Sequence, residues 1–106
     1  MLAQPEFKRF PAVRRAIDKI NVESDIRVRI LGKVVDRTED GFILDDGETQ
    51  AELRMDSPEK APEPNSFVNA FCRVLPLEQG FELHCELVQH MHGADLELYR
   101  KVFKLQ

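Results

Sequence analysis

The stretch RVRILGKVVDRTEDGFILDDGETQAEL, Arg27 to Leu53, reads as three β-strands joined by two turns. At its start Ile26, Val28 and Ile30 point one way and Arg27 and Arg29 the other, the period-two pattern of a half-buried strand. Gly32 breaks the alternation and the apolar pair Val34 and Val35 follows, as expected where a bulge or coil lets one long strand serve two sheets. Thr38 to Gly41 is turn chemistry. Phe42 to Leu44 then restarts a β-run that Asp45, Asp46 and Gly47 close, and Asp-Gly between two strands favours a tight hairpin. Ala51, Leu53 and Met55 alternate with Glu52 and Arg54 as a third strand. Because Phe42, Ile43 and Leu44 are consecutive, one of them must leave the interior, and alternation selects Ile43.

Downstream, SPEKAPEPN carries three prolines and is expected to be an exposed connector. Ser66 to Val74 resumes strand character with Val68, Ala70, Cys72 and Val74 inward. LEQG turns the chain, and Phe81 to Val88 makes a fifth strand with Leu83, Cys85 and Leu87 inward. Upstream, PAVRRAIDKI places Val13, Ala16, Ile17 and Ile20 at helical spacing, with Pro11 suited to a first turn. After Gly93, Leu98, Tyr99, Val102, Phe103 and Leu105 form a broad apolar stripe on a helix from about Asp95, with acids at its start and lysines at its end. The expected fold is therefore mainly β: a five-stranded Greek-key barrel of the OB type with a short N-terminal helix and a C-terminal helix. Its parts are a basic arm and short helix over 1–24, the barrel over 25–90 and an assembly helix over 93–106. Periodicity alone also admits an SH3-like barrel.

A chain of 106 residues has room for one domain with a continuous core. Apolar runs are too short to span a membrane, and the N-terminus lacks a secretory signal, so an intracellular, cytoplasmic protein is expected. In that compartment Cys72 and Cys85 stay thiols, read here as small core residues. The net charge is -4, of which Met1 to Asn21 contributes +3, so the rest of the chain sums to -7. Any strong attraction for nucleic acid must then be local or come from a partner.

Arg27 to Leu53 resembles the first three strands of OB domains in replication protein A. MHGADLELYRKVFKL, Met91 to Leu105, is similar to the linker and trimerisation helix of its archaeal small subunits, and RFPAVR, Arg9 to Arg14, to the segment that opens several archaeal members. The resemblance implies single-stranded DNA binding by the barrel and assembly with other replication protein A-like subunits through a bundle of C-terminal helices. The assembly interface carries over as Leu98, Tyr99, Val102, Phe103 and Leu105. The family's DNA-stacking aromatics do not: Met55 and Pro76 or Leu77 stand in their places, and the chain has no Trp.

Sequence-tolerant binding of a single strand needs aromatic faces for the bases and cations for the backbone. Phe71, on the outward face beside Arg73, Phe81 at the start of the fifth strand and outward Ile43 are the stacking candidates. Arg27, Arg29, Lys33, Arg54 and Arg73 are the backbone candidates. An outward Phe71 could equally be covered by the N-terminal helix, and alternating charge is also the mark of a solvated strand face. His84, His90 and His92 with Cys85 lack metal-ligand spacing, so no metal is expected. With no phosphate loop, nucleophile elbow or Cys/His pair with an orienting third residue, neither catalysis nor a cofactor is expected. Three functions compete. They are a subunit of a single-stranded DNA-binding complex with weak DNA contact of its own, a purely structural or protein-interaction subunit, and an RNA-binding module.

Overall fold

The computed structural model describes residues 12–91. Its strands are β1 (Val13–Arg14), β2 (Arg27–Arg37), β3 (Gly41–Asp45), β4 (Gln50–Arg54), β5 (Phe67–Pro76) and β6 (Phe81–His90), with single 3-10 turns at Ile17–Lys19 and Pro58–Lys60. Strands β2 to β6 close on themselves in the order β2-β3-β4-β6-β5, with β5 returning to β2. Only β4 and β6 are parallel within this ring; its other pairs are antiparallel. The protein is mainly β with a closed five-stranded barrel, compatible with an OB-like fold.

The long β2 closes the ring because it serves two neighbours. Arg27 to Lys33 pairs with β5, and Lys33 to Arg37 pairs with β3 across a register shift between Val34 and Asp36. Gly32 sits at the hand-over, where a Cβ would collide with the backbone carbonyl of Asp45, so only glycine lets β3 cross this closely. The shift also explains the apolar pair: Val34 is fully buried and Val35 is 40% exposed. The β3–β4 hairpin turns at Gly47, whose φ of 105° is open to glycine and strained for other residues.

Inside, Val28, Ile30, Phe42, Leu44, Leu53, Val68, Ala70, Cys72 and Leu83 pack as one cluster. Burying each large member is worth about 1.5–3 kcal/mol. The inward set expected on β5 is buried throughout. On β6 alternation fails after Cys85: Cys72 pairs with Cys85 but Phe71 with Leu87, so Glu86 is an extra residue. The bulge inverts the faces, leaving Leu87 48% exposed and turning Val88 to the core. Ile26, expected inward, precedes β2 and is 56% exposed.

The helix expected over Pro11 to Ile20 does not form among the described residues. Val13 and Arg14 instead pair in parallel with Val28 and Arg29, and the Arg15 amide donates to the Arg29 carbonyl at 3.2 Å. The first half of β2 has β5 on one side only, and its open edge recruits this segment. A two-turn helix is marginal by itself and would leave that edge unpaired. Ile17 then closes the barrel as a buried residue of the 3-10 turn. The proline-rich connector is not wholly exposed either, since Ala61 joins the core. The C-terminal helix over 93–106 and residues 1–11 of the basic arm lie outside the described residues. Among the described residues no helix is long and apolar enough to cross a membrane.

Candidate nucleic-acid interface

Strand pairing sorts the eight candidate residues onto two walls of the barrel. On β2, Arg27, Arg29, Leu31 and Lys33 alternate outward, opposite Arg73, Phe71, Asn69 and Phe67 of β5. This pairing brings Arg27, Arg29, Lys33, Phe71 and Arg73 together on one outer face, although 38 to 46 positions separate the two strands' members in sequence. Arg14 extends the row from β1 beside Arg29, and β6 adds Leu87 beside Phe71. Cations and aromatics thus interleave on one surface, the combination that a flexible polyanion with stackable bases requires.

The cations there differ in freedom. Arg27 Nε donates to Glu86 Oε1 at 3.0 Å. Lys33 and Arg73 are exposed and form no ion pair among the described residues. Arg29 is half-buried, and its Nε is hydrogen-bonded to no described residue. Phe71 is half-buried, midway between a free stacking platform and a core residue.

Ile43, Arg54 and Phe81 fall on the other wall, formed by β3, β4 and β6. Ile43 leaves the interior, as alternation expects, and pairs with Glu52. Arg54, Phe81, Glu52 and Glu82 line a groove there with Leu77 of the β5–β6 turn. Arg54 is spoken for: its guanidinium lies 2.9 Å from Glu82 and 3.9 Å from Asp40. Glu52 accepts the Thr38 hydroxyl at 2.7 Å. Phe81 packs against the core rather than standing free. Glu52 and Glu82 give this groove carboxylates that repel phosphate.

Two acids, Asp46, whose place in the sequence signals only a turn, and Asp25, organise the N-terminal approach to the barrel. Asp46 is buried, and its carboxylate accepts the amides of Ile17 (2.8 Å), Glu48 (3.0 Å) and Thr49 (2.9 Å). Asp25 accepts the Asn21 amide at 2.9 Å and Arg15 Nε at 3.1 Å. The Asn21 amide first, and Arg15 second, hold its carboxyl below the usual carboxylate range against the opposing cost of burial. Asp-Asp-Gly signals a turn whether or not one acid is buried, so Asp46's anchoring of Ile17 had no local signal.

Cys72 and Cys85 are free thiols on paired positions inside the barrel. Burial, then the adjacent Cys85, pushes the Cys72 thiol well above its ordinary range, so it stays protonated. His84 points outward and contacts Asp56 at 3.0 Å. No group of three or more His, Cys, Asp or Glu side chains that could hold a metal occurs among the described residues. Searches for this chain against protein-family models and curated proteins find no match.

Proposed function

We propose that this protein is an OB-type subunit of a replication protein A-like single-stranded DNA-binding complex, contributing weak DNA contact through its barrel and assembly through its C-terminal segment. It is a binding protein and not an enzyme. The observation that carries the reading is the convergence of Arg29, Lys33, Phe71 and Arg73 on the β2–β5 wall, on a barrel whose strand order is compatible with the OB type. Assembly rests on the stripe of Leu98, Tyr99, Val102, Phe103 and Leu105, which lies outside the described residues.

The alternative of a purely structural subunit is favoured by one observation, the acidic groove in which Arg54 is neutralised by Glu82 and Asp40. A fluorescence anisotropy titration against labelled oligo-dT and oligo-U over a salt series separates the readings. DNA binding in the micromolar range or weaker is expected. Three available cations give a log-log salt slope of about -2, at roughly 0.7 released counterions per contact on a single strand. Preference for oligo-U would favour the RNA-binding module. Nanomolar affinity at physiological salt would refute weak contact, and no binding at low salt would leave the structural subunit standing.

A further inference from the structure

The chain has two cysteines in all, and the fold sets them directly opposite each other. Cys72 of β5 pairs with Cys85 of β6, and both side chains turn into the barrel, where the residues are 0% and 4% exposed. With no third thiol in the chain, each has the other as its one intrachain partner.

The hydrogen-bond ladder decides how closely the two approach. At the turn between the strands the Leu77 amide donates to the Gly80 carbonyl at 3.2 Å, which makes these residues a hydrogen-bonded pair. Opposed residues of an antiparallel ladder alternate between hydrogen-bonded and non-hydrogen-bonded pairs. The register runs without a break from Pro76 and Phe81 through Leu75 and Glu82, Val74 and Leu83, and Arg73 and His84 to Cys72 and Cys85. Counted along it, the cysteines form a non-hydrogen-bonded pair, the kind whose side chains come closest. Such a pair holds its Cα atoms about 4.5 Å apart, and a disulfide bridges Cα separations of roughly 4.4–6.8 Å. The strands therefore keep the two sulfurs within bonding reach while both are reduced.

We propose that Cys72 and Cys85 are an oxidisable pair, which a peroxide converts into a cross-strand disulfide inside the barrel. Cys85 reacts first, because the Cys72 hydrogen bond holds its thiol below the ordinary range against the cost of burial. Its thiolate attacks one peroxide oxygen, an S–O bond forms, the O–O bond breaks, and the leaving hydroxide takes a proton to become water. The Cys72 sulfur then attacks the Cys85 sulfenic acid, forming the S–S bond as the S–O bond breaks, and its proton leaves with the hydroxyl as a second water. Two thiols and one peroxide give one disulfide and two waters, the sulfurs supplying both electrons. The bond staples β5 to β6 just before the bulge at Glu86 and fixes the register that sets Phe71 opposite Leu87. It concerns the barrel itself and stands or falls independently of DNA binding.

The test treats the folded full chain with hydrogen peroxide and follows intact mass, tryptic peptides and thermal melting. The monomer should lose about 2 Da, regained with dithiothreitol. Trypsin without reductant should yield peptide 61–73 linked to peptide 74–100. The melting midpoint should rise by roughly 10 °C, as for a bridge closing a short loop. Cys72→Ala and Cys85→Ala, made separately so that one poorly folding variant does not decide the outcome, should each abolish the cross-link and the rise. Sulfinic or sulfonic acids in place of the cross-link, disulfide-linked dimers, or thiols that oxidise only in urea would overturn the proposal. So would a midpoint that falls when the bond forms, since the strands would then hold the pair in the wrong geometry.

Discussion

The two walls of the barrel enclose the same apolar core and differ in what their outward positions carry. The β2–β5 wall pairs Arg27 with Arg73, Arg29 with Phe71 and Lys33 with Phe67, and its one nearby acid on β6, Glu86, is taken by Arg27. The β3–β4–β6 wall sets Glu52 and Glu82 in one groove with a single Arg54, which Glu82 and Asp40 neutralise. A net charge of -4 is thus a poor guide to partners, because it averages a basic wall with an acidic one. OB-type barrels commonly bind ligand on the second and third strands, and here that wall is the acidic one. The contrast moves the expected nucleic-acid contact to the opposite side of the barrel.

The largest effect expected on either wall is structural. Asp46→Ala leaves the amides of Ile17, Glu48 and Thr49 without their acceptor and should cost about 3 kcal/mol in urea denaturation, the upper range for hydrogen bonds to a charged group. It should leave DNA affinity unchanged once the protein is folded. An affinity change in the folded variant would mean that the acids of this side act on ligand as well as on the fold.

The sharpest comparison is between the two aromatics. Phe71→Ala should lose roughly 1–3 kcal/mol of single-stranded DNA affinity, the worth of a stacked base, while Phe81→Ala leaves affinity within error and lowers the denaturation midpoint instead. The reverse pattern would transfer the interface to the groove and invert the assignment of the walls.

A smaller effect tests whether the acids close the groove to phosphate. Asp40→Asn with Glu82→Gln frees Arg54 and should raise low-salt DNA affinity by about 0.5 kcal/mol, as for an exposed charge pair, an effect that salt erases. A gain beyond tenfold would show the groove to be the better DNA path once its charge is removed.

The smallest effect is a pH dependence. Asp25's folded pKa is depressed, so its contribution to stability is present above the ordinary carboxylate range and lost as pH falls through the folded value. Thermal melts of the protein and of Asp25→Asn should therefore differ at neutral pH and converge in acid. A constant difference from neutral to acid pH would mean that the Asn21 and Arg15 bonds do not depend on the charge.

Local pattern carried much of the barrel, and its failures have specific causes. Alternation around Gly32 and the Asp-Gly turn located β2, β3 and β4 because period two and turn chemistry are written in consecutive residues. Leu87 was misplaced because one extra residue, Glu86, reverses every later face, and a bulge has no necessary sequence mark. Val13 to Ile20 reads as a helix by spacing, but its fate was decided by an open strand edge contributed by residues about 15 positions away.

By itself, the sequence determined the strand-rich composition, the bend in β2, the inward set of β5 and the departure of Ile43 from the interior. Each follows from side-chain alternation or a turn within a few residues. Only the tertiary structure decided that Arg29 meets Phe71, that Arg54 is neutralised by Glu82 and Asp40, that Asp46 holds Ile17, and that outward Leu31 is buried. Those outcomes depend on register between strands distant in the chain. Register is set by the closure of the whole barrel, to which no single segment holds the key.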